Sequence, residues 1–208
     1  MLLLAGRVQV SPQHPIDQRL VGLPLGALTA WQALVDTAQV EAGQRVLVHA
    51  AAGGVGHLAV QIAKARGAYV IGTARAENHE LARGLGADEL IDYTRVDFAE
   101  AVRDVDVVVN LVGGGDDGVR SLRTLRHGGL LVGVAGTSGV EEAAAHGVRG
   151  AALLVEPDRA GLEGVTALVE AGLLRPRVEQ VFPLEQAARA HELIETGRTR
   201  GKIVLSVA

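Results

Sequence analysis

Between an apolar run, Arg45-Val-Leu-Val-His49, and a helix-like run, His57-Leu-Ala-Val-Gln-Ile-Ala-Lys64, the chain reads Ala50-Ala-Ala-Gly-Gly-Val-Gly56. A strand that turns through glycines into a helix lets backbone amides approach an anion, and the positive end of the helix dipole holds a phosphate or diphosphate there. The spacing fits two registers of the glycine fingerprint. Ala51, Gly53 and Gly56 put alanine at the first position of G-x-G-x-x-G, whereas Gly54, Gly56 and Ala59 satisfy G-x-G-x-x-A. In either register Ala52, Gly53, Gly54, Val55 and Gly56 are the candidate cofactor contacts.

A second determinant is expected about twenty residues later, where an acid receives the ribose hydroxyls of NAD and small or basic groups admit the 2′-phosphate of NADP. The chain there reads Gly72-Thr73-Ala74-Arg75, with no acid at the strand end. Thr73 borders the site, and Arg75 offers a planar cationic fork to a phosphate. NADPH is therefore favoured over NADH. The plainer reading of Arg75 is a solvated residue at a helix start, since all but Lys64 and Lys202 of the 20 basic residues are arginine.

Other chemistries fit poorly. With no cysteine, disulfides, thiolate catalysis and thiolate metal sites are excluded. The seven histidines show no H-E-x-x-H spacing, and neither a G-x-S-x-G elbow nor a G-x-x-x-x-G-K-[ST] loop is present. No metal site is expected. Asp116-Asp117 reads as a helix N-cap followed by a first-turn acid rather than a catalytic pair. His49 and His57 flank the glycine loop, where they either orient a phosphate or, on the plainer reading, are packed or solvated.

The elements that must carry these residues follow from the rest of the chain. Its 208 residues suffice for one well-buried domain with a small appendage. The apolar fraction of 48% rests on Ala, Val and Leu, which suits parallel strands covered on both faces. A net charge of −4 argues against a nucleic-acid partner. No run approaches a bilayer span and the start lacks a signal-peptide pattern, so a soluble, cytoplasmic protein is expected.

Aliphatic runs at 45–49, 68–73, 89–91, 106–111, 129–135 and 151–155 alternate with helix candidates at 55–66, 77–85, 98–103 and 117–126, and another follows at 161–170. This pattern predicts an α/β fold with a doubly wound parallel sheet of order 3-2-1-4-5-6, whose ligand crevice lies at the strand C-termini beside the glycine loop. Ahead of the sheet, residues 25–37 read as a helix with Leu28, Trp31, Leu34 and Val35 on one face and Trp31 in the core. The tail reads as a strand (177–183), a helix (184–196) and a final strand from Lys202, with residues 2–10 as a further strand-like run.

Four linked stretches, Leu23 to Leu34, Val46 to Gly56, Leu85 to Tyr93 and Gly201 to Leu205, resemble in order and spacing the zinc-independent, zeta-crystallin-like quinone oxidoreductases of the medium-chain dehydrogenase/reductase superfamily. The similarity covers residues 21–208. It implies a Rossmann NADP(H)-binding domain over 22–172. Residues 1–21 and 173–208 would be remnants of a GroES-like catalytic domain, most of which this sequence does not include.

The resemblance also implies particular contacts. Asn78 aligns with a basic position near the 2′-phosphate, and His79 lies beside it. Tyr93 matches a tyrosine near the adenosine phosphate, with rim packing as its alternative. Thr29 matches a position by the nicotinamide or its phosphate, against an ordinary mid-helix threonine. Asn110, Val112 and Gly113, and then Val134 and Ala135, stand at strand ends that frame the cofactor. Lys202 touches it by analogy, or is a solvated lysine before a strand. No catalytic side chain is nominated. The expected activity is hydride transfer from NADPH to a small-molecule quinone or conjugated enone. The alternative is a non-catalytic NADP(H)-binding module or sensor. A homodimer through the sheet edge at 151–155 is expected in either case.

Overall fold

The computed structural model describes residues 22–207, so the strand read at 2–10 lies outside the described residues. Six parallel strands form one sheet in the order β3-β2-β1-β4-β5-β6. They are β1 (Arg45–Val48), β2 (Tyr69–Thr73), β3 (Glu89–Ile91), β4 (Val105–Asn110), β5 (Leu125–Gly133) and β6 (Arg149–Ala152). Sequence order reverses between β1 and β4, and the glycine turn leaves β1 at that point.

Helix α1 (Pro24–Trp31) precedes the sheet and runs on into a π-helical turn, Gln32–Thr37. The helix read at 25–37 thus changes pitch after Trp31, with the Ala38 amide donating to the Ala33 carbonyl five residues back. Trp31 is half-buried rather than fully enclosed, and its ring lies where Cβ atoms on Gly161 and Gly164 would stand. Small residues on α6 (Arg159–Glu170) therefore make the seat for the one tryptophan. Gln32 fixes the same corner: its Nε2 donates to the Glu156 carbonyl at 2.8 Å and its Oε1 accepts from the Glu156 amide at 3.1 Å.

Helix α2 (Gly56–Ala65) is buried from Gly56 through Ala63. It belongs to a core that includes Val46, Val48, Leu58, Ile62, Val70 and Val109. The opposite face of the sheet has its own cluster, in which Leu47, Ile71, Val108 and Leu131 meet Phe98, Val102 and Leu122. Apolar side chains thus leave the strands on both faces, as a doubly covered parallel sheet requires.

Helices α3 (His79–Gly84) and α4 (Phe98–Ala101) stand near their expected places. Helix α5 stops early. It spans Asp117–Ser121 rather than 117–126, because the Thr124 amide and hydroxyl both turn back to the Ser121 carbonyl and Leu125 already pairs with Val105 of β4. Beyond α6, β7 (Val178–Pro183) and β8 (Lys202–Ser206) form a separate two-stranded parallel sheet, connected through α7 (Ala187–Glu195).

Candidate functional site

The glycine turn is shaped by one strained residue and one tight packing contact. Ala50 has φ 50°, a left-handed conformation unusual for a residue with a side chain. Its carbonyl accepts from the Gly53 amide at 2.8 Å, and its amide donates to Thr73 Oγ1 at 3.2 Å. A Cβ on Gly56 would collide with the Ala50 carbonyl. Gly56 is thus the position where helix and strand close against each other, which selects the register Ala51, Gly53, Gly56. Among the described residues, the amides of Ala52, Gly54 and Val55 have no acceptor. Three free donors at the N-terminus of the ten-residue helix α2 make a geometry suited to an anion.

Two buried histidines brace this turn, each with both ring nitrogens engaged by protein partners, and His49 also borders a cavity beside the turn. His49 Nε2 meets Ser121 Oγ at 2.8 Å and its Nδ1 meets Thr73 Oγ1 at 3.1 Å. Ser121 spends its own hydrogen on the Asp117 carbonyl, so Nε2 carries the imidazole proton. Burial, reinforced by the Arg120 charge, lowers the His49 pKa to about 4. His57 is likewise lowered to about 4, chiefly by burial, with Lys202 and Arg177 adding to the effect and the bond to Gly53 opposing it. Both are neutral structural groups near pH 7.

A cavity of about 240 Å³ opens beside the turn at the C-terminal ends of β1 and β2. Of the residues expected at the site, Ala52, Gly53, Thr73, Arg75, Asn78, Tyr93 and Val112 line it. Arg75 Nε donates to Tyr93 Oη at 3.1 Å, which joins the β2 and β3 ends into one rim. That bond heads the influences raising the Arg75 pKa.

The remaining expected residues stand elsewhere. Gly54, Val55 and Gly56 belong to the turn but not to the cavity wall. Thr29 spends its hydroxyl hydrogen on the Leu25 carbonyl at 2.7 Å, as mid-helix threonines do. His79 faces the Ala74 carbonyl at 3.1 Å and so braces the β2 end from behind. Asn110 is buried, and its Oδ1 accepts from the Val112 amide at 3.1 Å, shaping the exit from β4. Gly113 lies so near Ala135 that a Cβ would come within 2.9 Å of the Ala135 carbonyl, and the Val134 amide donates to the Asn110 carbonyl at 3.0 Å. The Lys202 side chain fills the slot between Gly26 and Gly54, and burial lowers its pKa.

Sequence reasoning missed two walls of the cavity. Phe98, Asp117 and Arg120 form one, with the Arg120 guanidinium 4.7 Å from the Phe98 ring centre and 2.7 Å from Asp97 Oδ1. Gly197, Arg198 and Thr199, which precede β8, form the other. Asp116 takes the N-cap position of α5 but its side chain makes no cap bond; it lies 3.8 Å from Arg120 instead. Asp117 is the first-turn acid expected.

The donor set fits an anionic nucleotide: free turn amides, a helix N-terminus, an arginine and a phenol. It does not fit a metal, since no group of three His, Cys, Asp or Glu side chains converges among the described residues.

Residues 85–205 match the family model described as zinc-binding dehydrogenase. The chain belongs to that family. It is a member of the medium-chain dehydrogenase/reductase superfamily, and quinone oxidoreductases and a 2-haloacrylate reductase are among its relatives. Over 91% of its length it is 39% identical to 2-haloacrylate reductase from a Burkholderia species, of which it covers 63%. Its fold overlays the quinone oxidoreductase of Coxiella burnetii with a TM-score of 0.85 at 41% identity, covering 90% of this chain and 60% of that one. The Escherichia coli quinone oxidoreductase complexed with NADPH gives a TM-score of 0.82 at 31% identity, covering 91% and 65%. The chain therefore spans less than two thirds of the length of these relatives. No helix among its described residues is long and apolar enough to cross a membrane.

Proposed function

We propose that this protein is a cytoplasmic, zinc-independent oxidoreductase that binds NADPH and reduces a quinone or conjugated enone. The observation that carries the cofactor reading is the rim at the β2 end, where Arg75, tied to Tyr93, occupies the place at which an NAD site needs an acid. The turn amides of Ala52, Gly54 and Val55 receive the diphosphate, Gly53 permits its approach, Gly56 lets helix and strand close beneath it, and Thr73 and Asn78 border the adenosine. His79 steadies the same strand end.

Thr29, Asn110, Val112, Gly113, Val134, Ala135 and Lys202 are assigned to the nicotinamide half. That assignment rests on the family resemblance and on their positions around the turn and the ends of β4 and β5. When bound, the dihydronicotinamide supplies a hydride to the electrophilic acceptor. The chain's own share is orientation and exclusion of water; the proton that completes the reduction comes from water or a ribose hydroxyl, and no side chain is assigned as acid or base. In domain terms, 22–172 is the binding unit and 173–208 belongs to the substrate domain with 1–21. The edge strand β6 is the proposed homodimer seam.

The test is a titration with NADPH and NADH followed by NADPH oxidation in the presence of 1,4-benzoquinone or 9,10-phenanthrenequinone. Preferential NADPH binding with turnover supports the proposal. Binding without turnover on any quinone or enone would make the chain a binding module instead, and equal affinity for NADH would overturn the role given to Arg75.

A further inference from the structure

His57 and Gln61 stand one turn apart on α2, both buried, and both reach away from the sheet to the backbone that leads into β7. Gln61 Oε1 accepts from the Arg175 amide at 2.8 Å while its Nε2 donates to the Arg175 carbonyl at 3.1 Å. The Arg177 amide donates to His57 Nε2 at 3.2 Å. That bond requires an unprotonated Nε2, so the imidazole hydrogen is on Nδ1, which donates to the Gly53 carbonyl at 2.8 Å. The same carbonyl also accepts from the His57 amide at 3.1 Å.

One residue thus pulls the Gly53 carbonyl toward α2 with two donors. In a trans peptide the carbonyl and the following amide point in opposite directions. The Gly54 amide is therefore turned outward from the helix N-terminus, toward the anion cradle. The other edge of the ring anchors the tail, which is stitched to the turn again by Gly201 donating to the Ala52 carbonyl at 2.9 Å, while Lys202 donating to the Arg177 carbonyl at 2.9 Å ties the tail's own two strands together. This tail supplies the cavity wall at Gly197–Thr199.

We propose that His57 is a positioning residue for the dinucleotide site: its Nδ1–H tautomer sets the Gly53–Gly54 peptide plane, and its Nε2 registers the tail segment against the glycine turn. The inference rests on the NADPH reading above and adds a determinant that touches no ligand.

Two substitutions separate the ring's two bonds. In His57→Asn the amide nitrogen can keep the bond to Gly53 and the bond to Arg177 is lost; in His57→Gln the oxygen can keep Arg177 and the bond to Gly53 is lost. NADPH affinity of the full chain should fall about threefold in His57→Asn and about tenfold or more in His57→Gln, the larger loss following the peptide plane. Equal losses, or the reverse order, would overturn the assignment. Long-range ¹H–¹⁵N NMR on the wild-type protein gives a readout independent of whether the variants fold. A protonated Nδ1 and a bare Nε2 are expected, and the opposite tautomer would refute the proposal. Failure of the wild type to bind NADPH would refute the cofactor reading, while the tautomer would still decide the role of His57 in the turn.

Discussion

The turn after β1 and the turn after β2 face the same cavity but are built from different materials. The first is backbone: a left-handed alanine, free amides and a glycine with no room for a side chain, braced by two buried histidines. The second is side chains: Arg75 and Tyr93, joined by one bond and open to solvent. Under the proposed function, backbone geometry sets whether a dinucleotide is held at all, because it depends on sterics that tolerate little change. Under the same proposal, side chains at an exposed rim set which dinucleotide is held, and they exchange at small cost to the fold.

If that contrast is right, acid should damage the first turn far more than the second. His49 and His57 have native pKa values near 4, below the ordinary imidazole value of 6.5, so between these limits the unfolded chain binds protons that the native state refuses. Their stabilisation is whole above pH 6.5 and lost as pH falls toward 4. Arg120, Arg177 and Lys202 beside them all oppose protonation. Two such groups give a slope of roughly 2.7 kcal/mol per pH unit at its steepest. Urea unfolding at stepped pH values measures it, and a flat profile through this window would deny the buried neutral state.

Gly56→Ala is the next largest break. The new methyl meets the Ala50 carbonyl, and separating strand from helix costs roughly 3 kcal/mol, seen as about a hundredfold weaker binding of NADPH and NADH alike. Loss of only one dinucleotide would show that the turn contributes selectivity after all. Arg75→Ala should do the converse, weakening NADPH about tenfold and leaving NADH unchanged, with the unfolding midpoint unmoved. Tyr93→Phe is the finest probe. It removes only the hydroxyl that orients Arg75, so about a threefold loss for NADPH is expected from the same titration.

The two turns also differed in how far they could be read from sequence. The glycine spacing, the strand order and the place of the turn at the sheet's reversal follow from local pattern, since periodicity and turn sterics act over neighbouring residues. The register of the fingerprint did not follow, because the collision that fixes it is between Gly56 and Ala50 in space. Arg75 was legible at the end of β2, whereas the wall at Gly197–Thr199 comes from a segment more than a hundred residues away and carries no motif. Helix α5 was read too long because the Ser121–Thr124 turn that ends it uses hydroxyl and amide bonds that leave no break in the apolar pattern. From sequence His57 reads as orienting a phosphate or as a packed or solvated histidine, and Gln61 carries no signal; the bonds to Arg177 and Arg175 are visible only in the fold.

The most direct measurement is calorimetric titration of the full chain with NADPH and with NADH under one buffer and salt condition. The account predicts saturable heat with NADPH and an affinity at least tenfold weaker for NADH. Absence of heat from both at millimolar ligand would contradict the claim that the amides of the glycine turn hold a dinucleotide.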